Sequence, residues 1–127
     1  MGVDYSGGHL TATRCIEDNL PNVTVQYNPK TKYFGIAGTC STVREVYSKD
    51  PVGDAESFFA TLTNGGVKSK LPNDKGIKAN MADGSVVTIR KVTKSLPFPG
   101  VDISIRKARL PVVKAQKIHF KYEKGDK

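Results

Sequence analysis

The fold is decided by residues 77–90, which read Ile-Lys-Ala-Asn-Met-Ala-Asp-Gly-Ser-Val-Val-Thr-Ile-Arg. Apolar and polar side chains alternate on both sides of Asp83-Gly84. Such alternation is typical of strands that bury one face, and Asp-Gly between two alternating runs favours a tight turn. The stretch therefore predicts an antiparallel hairpin with one buried face and one polar face.

Two more amphipathic strands are predicted after this hairpin. Apolar residues alternate with polar ones from Val101 to Arg106 and again from Lys117 to Tyr122. Because successive side chains of a strand point to opposite faces of a sheet, the four strands are expected to share one apolar layer. That layer contains Met81, Val87, Ile89, Val101, Ile103, Ile105, Ile118 and Phe120.

A helix upstream of the hairpin is predicted to cover this layer. Asp54 is the expected N-cap, and Phe58, Phe59 and Leu62 form one apolar stripe. Asn64-Gly65-Gly66 offers the left-handed conformation at which helices commonly stop. A helix this short draws its stability from packing, so its two phenylalanines are expected to pack on the sheet.

The first fifty residues predict shorter elements. Thr11 to Leu20 carries a partial apolar stripe that favours a helix ending before Pro21. Residues 23–27 alternate like a strand, and residues 33–37 are expected to pair back on them as a hairpin. Thr42 to Tyr47 is apolar at spacings that fit a helical turn better than a strand.

Together these elements predict an α+β fold in which short N-terminal helices pack on a four- to five-stranded antiparallel sheet. With 127 residues, of which 38% are hydrophobic and 25% charged, the chain has the size and composition of a single globular domain. Residues 54–127 are expected to form the helix-plus-sheet core, and residues 1–53 an N-terminal portion. No apolar run approaches the ~18 residues that span a bilayer, so no membrane segment is expected.

Positive charge is concentrated in the second half of the chain. Residues 1–64 hold 5 Lys/Arg and 7 Asp/Glu, a balance of −2, whereas residues 65–127 hold 15 Lys/Arg and 5 Asp/Glu, a balance of +10. Such a charge favours polyanions through counterion release, and it also favours an acidic protein partner. A generically basic, soluble surface is the competing interpretation.

Motifs that indicate other chemistries are missing from the sequence. The only cysteines, Cys15 and Cys40, form no CxxC pair, and two histidines do not complete a four-ligand zinc site. The cysteines form either one disulfide or two buried thiols, and the sequence leaves both open. The chain has no phosphate-binding loop, GxSxG elbow, GxGxxG fingerprint or clustered acidic metal ligands. We therefore expect neither a metal nor a small-molecule cofactor.

The polar face of the predicted sheet combines cations, hydroxyls, one carboxylate and one imidazole. An ordinary solvated face usually carries more glutamate, so we favour a nucleic-acid surface over a merely solvent-exposed one. Its members are Lys78, Asn80, Thr88, Arg90, Asp102, Ser104, Arg106, Lys117, His119 and Lys121.

These are the groups that RNA cleavage without a metal requires. The reaction needs a base for the 2′-hydroxyl proton, an acid for the leaving 5′-oxygen, and donors around the phosphoryl oxygens. His119, with an ordinary pKa of about 6.5, suits either proton transfer. Arg90 can hold phosphate through two hydrogen bonds. Asp102 either orients His119 or positions the nucleophile, or it pairs structurally with Arg90 or Arg106.

Further residues are predicted to assist catalysis or to bind RNA. Thr88 belongs to the predicted catalytic set as a hydrogen-bond donor. His9 follows a flexible glycine pair that could present a catalytic imidazole, although glycines near a terminus are often only flexible. The predicted RNA-binding residues are Lys78, Lys91, Thr93, Lys94, Ser95, Arg106, Lys117 and Lys121.

The second half of the chain resembles a known group of toxins. The segments that carry the resemblance are Glu56–Gly65, Met81–Arg90, Pro99–Ile103 and Lys117–Phe120. They follow a pattern of a short helix, a DGT-x-x-T-x-R hairpin, a P-x-V-D-I strand and a closing KIHF-like strand. This pattern is similar to the C-terminal toxin domains of contact-dependent growth inhibition systems and related polymorphic toxins.

Several of these toxins are similar to the metal-independent ribonucleases grouped around barnase, the EndoU-type enzymes, colicin E-type tRNases and RelE-like toxins. The resemblance implies that the chain is an endoribonuclease toxin. Toxins of this group often cleave tRNA. The resemblance also implies delivery, from a secreted or cell-surface protein, into the cytoplasm of a neighbouring bacterium, and neutralisation by a cognate, acidic immunity protein.

By position, Arg90, Asp102 and His119 match the toxin pattern best, followed by Thr88 and the stretch 93–95. The chain departs from the pattern at Leu96-Pro97-Phe98 and over its first fifty residues. The alternative to a nuclease is a basic RNA-binding or protein-interaction module without catalysis.

Overall fold

The computed structural model describes residues 11–91, 98–105 and 113–123. Short 3-10 turns occupy Leu20–Asn22 and Pro72–Asp74. The other elements are, in chain order, α1 (Ile16–Asn19), β1 (Tyr27–Asn28), β2 (Tyr33–Phe34), β3 (Ile36–Ala37), β4 (Val43–Ser48), α2 (Pro51–Leu62), β5 (Val67–Lys70), β6 (Gly76–Asn80), β7 (Val86–Arg90), β8 (Gly100–Ser104) and β9 (Gln116–Tyr122).

Seven of these strands form one sheet in the order β3-β4-β9-β8-β7-β6-β5. All neighbours in it are antiparallel except β4 and β9, which run parallel. β1 and β2 form a separate two-stranded sheet. The predicted α+β class is confirmed, but the sheet is mixed and larger than the four or five antiparallel strands expected. The difference arises because β4 joins β9 in parallel, β3 extends that edge, and β5 extends the other.

The predicted hairpin and the two strands after it lie at the centre of the sheet. β6 pairs with β7, β7 with β8 and β8 with β9, all antiparallel and in the predicted phase of alternation. Gly84 takes a φ of 88° in the turn between β6 and β7, a left-handed conformation that glycine adopts without steric cost. This part of the prediction is confirmed.

The main helix, α2, lies between β4 and β5 in the chain rather than at the N-terminus. It begins at Pro51, whose fixed φ suits the first helical position. Asp50 caps it by accepting a hydrogen bond from a backbone amide of the first turn at 3.1 Å. The predicted N-cap, Asp54, therefore lies one turn inside the helix. The predicted stop is confirmed, since the helix ends at Leu62 and Gly65 adopts a φ of 84°.

α2 packs on one face of the sheet and closes the core. The ring of Phe58 lies 5.0 Å from that of Phe34 and 5.7 Å from that of Phe120, measured between centroids. The predicted apolar layer is confirmed, with Ile89 and Ile105 partly buried at its margin. The buried hydrophobic residues are Ile16, Phe34, Ala55, Phe58, Phe59, Leu62, Ala79, Met81, Val87, Val101, Ile103, Val113, Ile118 and Phe120.

The helix and hairpin predicted before residue 38 are shorter than expected. The helix expected over Thr11–Leu20 is reduced to Ile16–Asn19, because the Thr13 amide donates instead to the Gly65 carbonyl at 2.8 Å. The hairpin is present, but β1 and β2 pair over only two residues each.

The prediction of a helical turn over Thr42–Tyr47 is wrong. These residues form most of β4, which pairs with β9 along its six residues. The long-range pairing outweighs the local apolar spacing, since β-branched Val43 and Val46 pack well in a pleated strand.

The two cysteines do not bond to each other. Both are free thiols, but Cys15 is only half-buried and Cys40 is exposed, so the alternative of two buried thiols is correct on the free thiols and wrong on their burial. Among the described residues, no helix has the length and apolar character needed to cross a membrane.

Candidate active site

The polar side chains of the central strands lie together on the sheet face opposite α2. The residues on either side of His119 in the chain, Ile118 and Phe120, are buried in the core, so alternation directs the imidazole to the other face. Cross-strand register arranges this face in two rows. The first row is Glu45, His119, Gly100, Arg90 and Gly76, and the second is Val43, Lys117, Asp102, Thr88 and Lys78.

Gly100 separates Arg90 from His119 in the first row without placing a side chain between them. Neighbouring strands lie ~4.8 Å apart, so the backbones of the two flanking residues are about 10 Å apart. Gly100 is itself buried, and a Cβ built on it would meet only ordinary contacts, the nearest being His119 Cδ2 at 3.5 Å. Arg90 and His119 are thus the register neighbours of Gly100 on its two sides.

Glu45 joins the first row through the parallel pairing of β4 with β9. Its carboxylate accepts hydrogen bonds from the Tyr47 hydroxyl at 2.6 Å and from Lys121 Nζ at 3.0 Å, one on each oxygen. The bond from Tyr47, followed by that from Lys121, lowers the pKa of Glu45, and the same bond to Glu45 raises the pKa of Tyr47. Glu45 is therefore ionised at neutral pH, and it holds the Lys121 ammonium group beside the first row.

His119 is half-buried, and the centroid of its imidazole lies 5.2 Å from that of the Phe98 ring. Lys121 Nζ lies 4.9 Å from the centre of the same Phe98 ring. Burial, followed by the positive charges of Lys121 and Lys117, lowers the pKa of His119, and the two nearby carboxylates oppose this shift more weakly. The imidazole is therefore neutral at pH 7 and able to accept a proton.

Arg90 is held by Asp102 on the adjacent strand. Arg90 Nε lies 3.1 Å from Asp102 Oδ2, and the side chains are 49% and 25% exposed. Of the roles that the sequence left open for Asp102, the structure shows the pairing with Arg90. Because the contact uses Nε, the two terminal guanidinium nitrogens remain available to a phosphate.

The other predicted site residues fall into three groups. Thr88, Lys78 and Lys117 lie in the second row, with Thr88 half-buried and both lysines exposed. Lys91 follows the end of β7 and is paired with Asp74 at 2.9 Å. His9, Thr93, Lys94, Ser95 and Arg106 lie outside the described residues.

The sequence interpretation missed Glu45, Tyr47 and Phe98. The first two were hidden by the prediction of a helical turn, which separates residues that a strand places on one face. The density of β-branched and aromatic residues in Val43-Arg44-Glu45-Val46-Tyr47 was the signal available for a strand. Phe98 carried no signal beyond its place in a Pro-rich loop.

A metal centre is not formed by the residues that the structure describes. Within these ranges, no group of three or more His, Cys, Asp or Glu side chains is placed to hold a metal ion.

Comparison with known proteins identifies no relative. The chain matches no known protein family, and no curated protein or solved structure shows significant similarity to it.

Proposed function

We propose that the polar face of the sheet binds RNA and cleaves it without a metal ion. The observation that supports this most directly is the first row, in which a neutral imidazole and a guanidinium flank Gly100. An ammonium group held by Glu45 lies beside them. This set contains a proton acceptor, a phosphate-binding cation and a proton donor, the three functions that the reaction requires.

In the proposed reaction, His119 accepts the proton of a ribose 2′-hydroxyl while the 2′-oxygen attacks the adjacent phosphorus. The bond from phosphorus to the 5′-oxygen breaks, and this oxygen takes a proton from the Lys121 ammonium. The products are a 2′,3′-cyclic phosphate and a 5′-hydroxyl. Exchange with water then returns His119 to its neutral form and Lys121 to its protonated form.

Arg90 binds the phosphoryl oxygens, where negative charge increases as the 2′-oxygen attacks. Asp102 keeps the guanidinium in place through Nε, so less of its motion has to be frozen when phosphate arrives. Removal of one such preorganised donor typically costs about 10²- to 10³-fold in rate.

Glu45 and Tyr47 act as positioning residues for Lys121. Both oxygens of the carboxylate are occupied, so Glu45 is a poor proton acceptor for the substrate. Its pairing with Lys121 also offsets the repulsion that a free carboxylate would exert on phosphate.

The second row supplies binding along the RNA backbone. Lys78 and Lys117 are exposed cations, and Thr88 offers a hydroxyl donor between them. The balance of +10 over residues 65–127 supports a polyanionic substrate, whose binding should weaken steeply as salt rises.

The resemblance of the second half to polymorphic toxin domains extends the proposal. On that basis the chain is a ribonuclease toxin that a secreted or cell-surface protein delivers into the cytoplasm of a competing bacterium. Its proposed substrate there is tRNA, and its proposed antagonist is an acidic immunity protein. The basic second half suits both a polyanion and an acidic partner.

The test is incubation of the purified protein with total bacterial RNA in EDTA, followed by gel analysis and end-mapping. Wild-type protein should give discrete fragments with cyclic phosphate ends, and His119→Ala and Arg90→Ala should each reduce cleavage by at least ~10²-fold. Lys30→Ala is the matched control, since Lys30 is an exposed cation in the β1–β2 turn, and it should cleave normally.

Two results would overturn the nuclease proposal. Intact RNA with a salt-sensitive mobility shift would replace it with an RNA-binding module without catalysis. Intact RNA without any shift, together with binding to an acidic protein, would replace it with a protein-interaction module.

A further inference from the structure

Phe98 brings an aromatic ring to the polar face of the sheet. The Pro99 carbonyl accepts a hydrogen bond from the Phe120 amide at 3.0 Å, which continues the antiparallel pairing of β8 with β9 beyond the start of β8. This register sets Phe98 opposite Lys121. Because directly opposed side chains share a face, Phe98 lies on the polar face, and its ring contacts His119 there with 5.2 Å between centroids.

The backbone holds Phe98 in place before any ligand arrives. Phe98 precedes Pro99, and a residue before proline is restricted to extended conformations. Pro99 is buried, its own φ is fixed by its ring, and its carbonyl is bound to Phe120. Phe98 itself is half-buried. Its ring therefore loses little freedom when a planar group stacks on it, which keeps the entropic cost of binding low.

Both contacts that the structure describes for the Phe98 ring come from β9. His119 meets the ring at an interplanar angle of 55°, and Lys121 Nζ lies 4.9 Å from its centroid. On the side away from β9, no aromatic ring or cation of the described residues contacts Phe98. A planar ligand can therefore approach the ring from that side.

The surroundings of the ring fit the two parts of a nucleotide. A nucleotide joins a flat base to a phosphate, and the polar face offers a ring with cations close to it. Lys121 connects the two, since it lies beside the Phe98 ring and is held by Glu45 at 3.0 Å. Proteins that bind single-stranded RNA on a sheet stack bases on aromatic side chains among such cations.

We propose that Phe98 is a stacking platform for an unpaired nucleobase next to the phosphate that is cleaved. The inference rests on the proposed function, whose substrate it specifies as RNA that is single-stranded at the site. Since the Phe98 ring contacts His119, a base stacked on it belongs to a nucleotide adjoining the cleaved bond. Every base has a π face, so the platform selects unpaired nucleotides rather than a sequence.

A base inside a duplex cannot use this platform. Both of its faces are covered by the neighbouring bases, and exposing one of them requires unstacking. Loops, bulges and ends of RNA supply unpaired bases without that cost. The proposed nuclease should therefore cut structured RNA in its loops and leave the stems intact.

The test uses the absence of tryptophan from the chain. Phe98→Trp gives the full chain a single indole at the proposed platform. The probe is a uniformly 2′-O-methylated hexanucleotide, which lacks the attacking 2′-hydroxyl and is not cleaved. Indole fluorescence is followed during titration at pH 8, above the pKa of His119. Hexaadenylate and hexauridylate should both quench it, whereas an abasic strand of the same length and charge should not.

Tyr122→Trp is the matched control for the fluorescence. It also gives the chain a single indole, on β9, at a side chain that is 71% exposed. Tyr122 follows Lys121 in the strand, so it lies on the opposite face, the one that α2 covers. Its fluorescence should not change with any of the three strands.

Phe98→Leu provides a second variant, which keeps an apolar side chain but removes the ring. It should weaken binding of the methylated hexauridylate by about 5- to 150-fold, the effect of losing one stacked base. Binding of a methylated duplex should stay unchanged, because the duplex is held through its phosphates alone. Fluorescence anisotropy of end-labelled strands measures both affinities.

The outcomes separate this inference from the proposed nuclease. Equal quenching by abasic and base-containing strands, or wild-type affinity of Phe98→Leu for hexauridylate, would overturn the platform, and RNA cleavage would still support the nuclease. Equal quenching of Tyr122→Trp and Phe98→Trp would also overturn the platform. Base-dependent quenching without cleavage of unmodified RNA by the wild-type protein would support the platform and overturn the nuclease.

Discussion

On one face of the seven-stranded sheet, α2 covers Val101, Ile118 and Phe120, which are fully buried. On the opposite face the same strands carry Asp102 and His119, which keep part of their surface in water. Along β8 and β9, side chains that pack in the core therefore alternate with side chains of the candidate site. Stability and reactivity are carried by different side chains of the same strands, so adjacent substitutions should separate them.

The largest expected effect is on the buried face. Phe120→Ala should lower the free energy of unfolding by about 3–5 kcal/mol, because it removes a fully buried ring and leaves a cavity beside Phe58. Urea denaturation followed by circular dichroism measures it. Tyr122→Ala is the control on the same strand, where the side chain is 71% exposed, and its effect should stay within about 0.5 kcal/mol. Equal losses in the two variants would contradict the packing described for β9.

The next effect is on the polar face, where Gly100→Ala should slow cleavage without unfolding the protein. The added Cβ meets only ordinary contacts, so the free energy of unfolding should change little. It nevertheless stands between Arg90 and His119, and displacement of phosphate by about 1 Å can cost up to ~10²-fold in rate. We expect a loss of about 10- to 100-fold in kcat/KM, measured with a short RNA substrate.

Ser104→Ala is the control for this substitution. Ser104 is exposed on the same polar face, but it lies at the other end of β8 and outside both rows, so its loss should change the rate by no more than about twofold. Wild-type cleavage by Gly100→Ala would show that phosphate does not lie over this position.

A pH dependence of the cleavage rate and of stability is expected from the polar face, because it carries His119. The pKa of His119 lies below its usual 6.5, so kcat/KM should be level at pH 7 and fall as pH drops through that lower pKa. The lowered pKa of His119 also makes the folded protein less stable in acid. The stability that the neutral imidazole contributes is complete above the unfolded pKa of about 6.5 and is lost as pH falls through the folded pKa. Cleavage rates and urea midpoints between pH 4.5 and 8 measure the two effects.

His119→Ala is the control for the pH profile, since it should remove both the decline in rate and its share of the stability change. A rate that rises as pH falls through 6 would contradict the role given to His119 and make the imidazolium the reactive form.

The second half of the fold was predictable because each strand there shows its own alternation of apolar and polar residues. Ile89, Ile103 and Ile118 each stand between two polar neighbours in the sequence, so the phase of burial can be read without knowing the pairing. The same alternation placed Arg90, Asp102 and His119 on one face, where the structure has them.

The first half was less predictable because its strands depend on distant partners. In β4, Arg44 lies on the core side of the strand and donates to the carbonyls of Phe34 and Gly35 at 2.9 and 3.2 Å. A charged residue in that position breaks the apolar alternation and hides the strand. The parallel pairing with β9 links residues more than seventy positions apart, and no local pattern indicates it. Glu45 and Tyr47 were missed for this reason.

The smallest expected effect concerns Tyr47, at the margin of the polar face. Tyr47→Phe removes the 2.6 Å hydrogen bond to Glu45 but keeps the ring, and Lys121 continues to pair with the other carboxylate oxygen. A single neutral donor contributes about 0.5–1.5 kcal/mol, so kcat/KM should fall by only ~2- to 10-fold. The pKa of Glu45 should rise, because the Tyr47 bond is the largest cause of its depression, and carbon NMR of the carboxyl group measures this.

Tyr33→Phe is the control for Tyr47→Phe, since the Tyr33 ring packs against Arg44 on the other side of β4 and its hydroxyl has no part in the first row. A loss near 10²-fold for Tyr47→Phe would be too large for positioning alone. It would make the Tyr47 hydroxyl, rather than the Lys121 ammonium, the donor of the proton to the leaving 5′-oxygen. Lys121 would then serve to hold Glu45 ionised, and the two residues would exchange the roles proposed for them.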